Sequence, residues 1–163
     1  SMFIVETGAG VTNANSYASV AELRAYAEYR YDVTAKSDAE LQAALVVASI
    51  DWLDGQHTFS GTPLTSTQGL DFPLVDVGLP NDIKNAAMKA ALLQLQGLLL
   101  VDYSAISVNG AVESESKSVG PLSKSVTYKS GSSQTYSRIL PKDLTNLLYP
   151  YLYQSGGQVV YRL

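Results

Sequence analysis

The chain has 163 residues, 46% of them hydrophobic and only 16% charged, with no cysteine and a formal net charge of −4. That length fits one domain with a real core; the lack of cysteine excludes disulfides and thiolate chemistry, and no apolar run reaches the roughly 20 residues of a membrane helix. The acidic balance speaks against a strongly basic nucleic-acid binder, but it is uneven: residues 1–115 hold 14 acids and 5 bases, residues 116–163 one acid and 6 bases.

The first phrase, Phe3–Val5, is β-like, and Gly8 and Gly10 then mark a turn. The lone G-x-G lacks the third glycine and the helix of a dinucleotide fingerprint. No basic stretch followed by an apolar run opens the chain, so no secretory leader is expected. Ser19-Val20-Ala21-Glu22 and Ser37-Asp38-Ala39-Glu40 are capping boxes. They predict helices over 20–30 and 38–54, with Leu41, Ala44, Leu45, Ala48 and Trp52 at helical spacing and Gly55 as C-cap. A long irregular stretch, 56–79, follows; loops of that length are uncommon in compact domains and are often functional. Pro80 stands where a first helical turn tolerates it. A third helix is predicted over 81–101, apolar on nearly all sides beyond Leu92 and therefore buried in the core or between subunits.

From residue 104 the pattern changes. Two strands, 111–119 and 122–129, read as a hairpin or extended arm around Gly120-Pro121, and a Ser-rich loop covers 130–137. Pro141 opens a last helix over 142–151 with Leu144, Leu147 and Leu148, and residues 158–163 form a possible short strand. The fold class is α+β, mostly α: one domain over 1–163, with a helical core (19–103), a β-arm (108–130) and a C-terminal helix and tail (141–163).

Little in this pattern carries chemistry. His57 has no nucleophile or carboxylate nominated beside it and reads as a loop histidine. Asp51 and Asp54, three apart on a helix, share a face and read as a solvated acidic surface, as do Glu113 and Glu115 on a strand. There is no P-loop, G-x-S-x-G or H-E-x-x-H. Of eleven tyrosines, five are Tyr136, Tyr149, Tyr151, Tyr153 and Tyr161. Tyrosine suits interfaces and also stacks on single-stranded bases; the proline in "YPYLY" favours interface or packing.

Four phrases in order, "VETGAGVTNANSYASVAE" (5–22), "QGLDFPLVDV…LPNDIKNAA" (68–87), "ESKSVGPLSKSVTY" (115–128) and "LPKDLTNLLYPYL" (140–152), resemble a small family of tailed-phage proteins. Its genes usually lie between capsid and tail genes, and its members are commonly called DnaT-like single-stranded-DNA-binding proteins. The order of helices, loop, hairpin and final helix is also similar to head–tail connector (adaptor, or head-completion) proteins. The resemblance spans almost the whole chain. It implies a neck subunit, assembled in the host cytoplasm and carried in the virion. About twelve copies would form a ring under the portal protein, meet downstream neck and tail-completion proteins, and pass genomic double-stranded DNA through the channel without specific binding. It implies no enzyme activity, cofactor, metal or membrane. Phe72 and Pro73 would fasten the long loop as an interface element. Lys117, Lys124, Lys129, Arg138 and Lys142 form a possible basic strip, and Tyr149, Tyr151 and Tyr153 complete the candidate contact residues. One departure is Leu74, where the family pattern puts a basic residue. The alternative function is DnaT-like binding of single-stranded DNA.

Overall fold

Both Ser-x-x-Glu phrases start helices. In the computed structural model, which describes residues 2–100, 142–155 and 158–159, Ser19 caps α1 (Val20–Ala27) and Ser37 caps α2 (Asp38–Val46). Each serine hydroxyl accepts the N–H of the glutamate three residues on at 3.1 Å, and that glutamate's Oε1 accepts the serine N–H at 2.9 Å. Two orphan donors per helix are thereby satisfied. Apart from Leu100 and Lys142, the described residues belong to one of two units into which the chain divides, 1–99 with 143–163; the other spans 100–142. The arm expected over 108–130, with Glu113 and Glu115, and the Ser-rich loop lie outside the described residues.

Helix α1 stops at Ala27, three residues early, because the N–H groups of Glu28, Arg30 and Tyr31 fold back onto Ala25 and Ala27 carbonyls. Arg24 then fastens the α1–α2 connection, donating to the carbonyls of Val33 (3.3 Å) and Lys36 (2.9 Å) and to Asp38 Oδ1 (2.8 Å).

Helix α2 continues without a break, but as a π-helix over Val47–Asp54. The wider π turn, with i→i+5 hydrogen bonds, changes which residues share a face. Ala48, Ser49, Trp52, Leu53 and Asp54 are buried while Asp51 is exposed. The expectation of a shared, solvated Asp51/Asp54 face fails for that reason. Gly55 does end the segment, but in right-handed geometry (φ −73°); a Cβ there would meet the Ile50 carbonyl oxygen at 2.8 Å.

Helix α3 (Asn81–Leu95) begins after Pro80. It buries Ile83 and the run Ala86, Ala87, Met88, Ala90, Ala91 and Leu92 and packs on α2, the π-helix and α1. Small residues at these positions let the helix axes approach closely. The helix does not reach residue 101. Gly97 takes φ +75°, its N–H donates to Gln94 O (3.0 Å), and the Leu98 N–H donates to Leu93 O (2.9 Å). That pair of bonds is the Schellman stop. Leu98 and Leu100 are consequently exposed, and only the middle of α3 is enclosed.

Helix α4 (Lys142–Leu148) runs into a 3-10 turn (Tyr149–Tyr151). Strands β1 (Gln154–Ser155) and β2 (Gln158–Val159) pair antiparallel, Gln154 opposite Val159. Leu144, Leu148 and Leu152 are buried, each worth roughly 1.5–3 kcal/mol, and Lys89 pairs with Asp143 at 2.9 Å. The described residues are thus mostly helical with short strands, in the expected fold class.

The amino-terminal segment is held by side chains that copy backbone pairing. Asn15 Oδ1 accepts the Ile4 N–H and Asn15 Nδ2 donates to Met2 O, both at 2.8 Å. Glu6, fully buried, turns its carboxylate into the following glycine turn and accepts the N–H groups of Gly8, Gly10 and Val11, each at 2.9 Å. The loop over 56–79 is ordered in the same way. The Gln68 amide donates to the carbonyls of Leu70 (2.9 Å), Asp71 (3.2 Å) and Pro73 (3.1 Å), while its oxygen accepts the Thr65 N–H (2.8 Å).

At Gly69 the loop crosses the amino-terminal segment so closely that a Cβ would stand 2.3 Å from Ala14 O and 2.5 Å from Ala14 N. Gly69→Ala is expected to cost about 2–3 kcal/mol by overpacking against backbone that cannot give, against about 1 kcal/mol for Ser19→Ala through loss of the cap. Urea denaturation of both variants checks the order; equal losses would show that the loop shifts freely over the segment.

Candidate functional site

The residues between the amino-terminal turn and α1 bring Tyr17 inward. Its N–H donates to Ser49 Oγ on the π-helix at 3.1 Å. Its hydroxyl donates to Asp54 Oδ1 at 2.7 Å and accepts the Phe72 N–H at 3.1 Å. Asp54 Oδ2 accepts the Asp71 N–H at 2.9 Å. One buried carboxylate and one buried hydroxyl therefore satisfy two backbone donors of the long loop. Burial, and then the negative charge of Asp54, hold the Tyr17 hydroxyl well above its ordinary pKa, so it stays protonated and able to donate.

Around this pair the aromatic rings form a continuous chain. Trp52 meets His57 edge-on at 4.7 Å, His57 stacks toward Phe59 at 6.1 Å, and Phe59 meets Phe72 edge-on at 4.8 Å. Tyr17 and Tyr151 each approach Phe72 edge-on at 6.2 Å. Such geometries add to the area the rings bury. His57 lies just past the helix end, in the loop where the sequence puts it, and is buried there. Its Nδ1 donates to the carbonyls of Leu53 (2.9 Å) and Trp52 (3.2 Å). No group of three or more His, Asp or Glu among the described residues is placed to hold a metal.

Phe72 and Pro73, joined by a cis peptide bond, are buried, so their side chains touch the chain's own core. Leu74 is buried too; its backbone bridges Pro63 on one side and Gly78 on the other. An apolar residue suits this enclosed position, where a basic one would need a buried partner. The outer edge of the same loop is different. Leu64, Val75 and Val77 are each close to half-exposed, on backbone fixed by Leu64 N–H to Pro73 O (2.9 Å) and Val75 N–H to Thr62 O (2.8 Å).

The C-terminal tyrosines divide between inside and outside. Tyr151 packs on Phe72, and its hydroxyl bonds Asp82 Oδ2 at 3.2 Å; burial, then the Asp82 charge, raises its pKa. Tyr149 and Tyr153 are about half-exposed. Backbone bonds from Ser60 N–H to Tyr151 O (2.9 Å) and from Tyr153 N–H to Thr58 O (2.8 Å) tie this turn to the start of the loop. Lys117, Lys124, Lys129 and Arg138 lie outside the described residues, as does the side chain of Lys142. Among the described cations, Arg24 pairs with Asp38, Lys84 with Glu22 and Lys89 with Asp143. Burial would raise the Glu22 carboxyl, but Lys84 and the Ser19 N–H outweigh it and hold it below its usual value.

Sequence reasoning missed the Tyr17–Asp54 pair and the Glu6 turn. The second had a local signal, a glutamate directly before G-x-G; the first had none, because its partners are 37 and 55 residues apart. It read Tyr26 only as part of the packed face of the first helix and passed over Tyr29, Arg30 and Tyr31, whose local alternation of rings and charge was visible in "AYAEYRYD".

A family model described as "Putative DnaT-like ssDNA binding protein" matches residues 1–163. No curated protein and no solved structure matches the chain.

Tyr17→Phe keeps the ring and removes the hydroxyl, leaving Asp54 short of a donor and the Phe72 N–H without an acceptor. The expected loss is about 2–3 kcal/mol, with Tyr17→Phe and Asp54→Asn far from additive. In the wild type the raised Tyr17 pKa means that the unfolded state ionises first. Its contribution is complete below the ordinary value of 10.0 and is lost as pH rises above it. Chemical denaturation from pH 8 to 11 should show a steeper alkaline decline in the wild type than in Tyr17→Phe; parallel profiles would contradict this assignment.

Proposed function

The chain belongs to the DnaT-like ssDNA-binding protein family over residues 1–163, and from that premise we propose that it is a structural subunit of the tailed-phage neck, a head–tail connector. About a dozen copies would form a ring under the portal and line the channel for genomic DNA. The observation that carries this reading is the charge distribution. Residues 1–115 hold 14 acids and 5 bases, and three of those bases are committed to ion pairs within the fold. A phosphate binder gains affinity from cations that displace counterions; an acidic wall instead keeps a passing duplex from adhering. The rigid loop edge with Leu64, Val75 and Val77 supports a protein partner, since fixed apolar surface loses little entropy on docking. In this reading Phe72 and Pro73 contribute indirectly, by fixing that edge from within.

Binding of single-stranded DNA is the second reading, favoured by the family's own description and by the exposed Tyr149 and Tyr153. Its cations would come from Lys117, Lys124, Lys129, Arg138 and Lys142, which lie in the basic third of the chain.

Co-expression with the portal protein of the same phage genome, followed by electron microscopy, is expected to give a ring of this protein on the portal. Leu64→Asp with Val77→Asp should abolish that ring while leaving the melting temperature within a few degrees. A portal that stays bare, together with absence of the protein from purified virions, would overturn the connector reading. A labelled oligonucleotide titrated by fluorescence anisotropy tests the second reading. A five-cation strip predicts a log–log salt slope near −3.5, about −0.7 for each phosphate, and little binding at physiological salt. A slope near zero with tight binding would contradict the strip.

A further inference from the structure

The α1–α2 connection contains a surface that neither reading has used. Tyr29 is 89% exposed, an unusual position for a large aromatic side chain on a surface that is otherwise fastened down. Beside it in sequence, the Arg30 guanidinium lies over the Tyr26 ring at 4.0 Å, and Arg30 Nη1 donates to Tyr26 O at 2.7 Å. Tyr31 is partly buried. Arg30 and Lys36, both in this connection, make no ion pair among the described residues, whereas Arg24, Lys84 and Lys89 do. The backbone beneath is fixed: Arg30 and Tyr31 N–H groups bond Ala27 O at 2.8 and 3.0 Å, and Arg24 holds the far side through Val33 and Lys36 carbonyls.

We infer that Tyr29, with the Arg30–Tyr26 stack, forms a base-stacking step for single-stranded nucleic acid. The inference rests on the DNA-binding reading and moves its centre from the C-terminal strip to the α1–α2 connection. The chemistry is that of sequence-tolerant binding, in which rings and a guanidinium plane take the faces of successive bases while a few cations meet the phosphates. The local charge balance sets the character of the contact. Asp32, exposed on the same surface, accepts the Thr34 N–H at 2.9 Å and the Thr34 hydroxyl at 2.7 Å. Glu28, the other carboxylate of the connection, is exposed and has no side-chain hydrogen bond among the described residues. With Arg30 and Lys36 offset in number by Glu28 and Asp32, and Lys36 also attracting Glu40, phosphate attraction is slight and stacking dominates. A protein partner is the competing occupant, because Tyr and Arg are also enriched at interface hot spots. The favouring observation for bases is the guanidinium already stacked on an aromatic plane.

The test uses the full chain and a fluorescein-labelled dT oligonucleotide, read by anisotropy at low and near-physiological salt. Wild type is expected to bind with a log–log salt slope no steeper than about −1.4, −0.7 for each of two phosphates. Tyr29→Ala should weaken binding roughly five- to hundredfold, Tyr29→Phe should retain it, and Glu28→Gln should tighten it severalfold. An abasic oligonucleotide of the same length should bind as weakly to wild type as dT does to Tyr29→Ala. Absence of wild-type binding removes the DNA-binding reading and this site together. Wild-type binding that Tyr29→Ala leaves unchanged, or that falls only on neutralising Lys117, Lys124 and Lys129, overturns the site and leaves the reading standing. Loss of ring formation in Tyr29→Ala with DNA binding untouched assigns the surface to a protein partner and also overturns the proposal.

Discussion

A hydroxyl and a carboxylate, both out of water, hold this fold in its particular form. Tyr17 comes from the segment before α1, Asp54 from the end of the π-helix, and the N–H groups they satisfy belong to Asp71 and Phe72 in the long loop. Buried backbone donors need partners, and no regular element of this loop supplies them. The loop can fold inward only where these two side chains stand, and they stand there only because the helix widens before Asp54. Once Phe72 is seated, Phe59, His57, Trp52 and Tyr151 have a ring to pack against. The aromatic core is thus downstream of two hydrogen bonds.

What was legible in the sequence was local. Both capping boxes, the glycine turn, the helix after Pro80 and the final helix are each specified by residues within a few positions of one another, and each is present. The remainder depends on contacts across the chain. Nothing near Asp54 announces a π turn, so helical periodicity assigned it to a wet face with Asp51. Gly97 ends α3 through two bonds of a C-cap motif, whereas the run of leucines around it reads as more helix. His57 does begin the loop, but its burial had no local signal, because the carbonyls it bonds are four and five residues back on an irregular helix end. Of the candidate contact residues, Phe72 and Pro73 turned out to be internal, where the Tyr17–Asp54 pair draws the loop in, and Tyr149 and Tyr153 external, a division that composition does not reveal.

The family assignment and the architecture bear on different questions. The family's description speaks of DNA, while the described body is acidic and keeps most of its cations occupied internally. An aromatic–guanidinium surface on one connection and an apolar edge on another give one small chain two chemically distinct faces. The proposed single-strand binding would draw on the first and the proposed ring assembly on the second, and nothing in their chemistry makes them exclusive.

The unit formed by 1–99 and 143–163 is discontinuous in sequence, and this has a consequence for biosynthesis. Translation delivers the helices, the loop and its aromatic residues well before Leu144, Leu148 and Tyr151 exist. Until α4 emerges, Phe72 lacks one of its ring neighbours, Lys89 lacks its carboxylate, and the edge of residues 58–60 has nothing to pair with. The core can therefore close only after α4 has been made, and a nascent chain stalled before α4 carries an open apolar seam of the kind chaperones hold and proteases recognise. Closing the fold late in this way would keep incomplete chains out of any assembly that selects closed subunits.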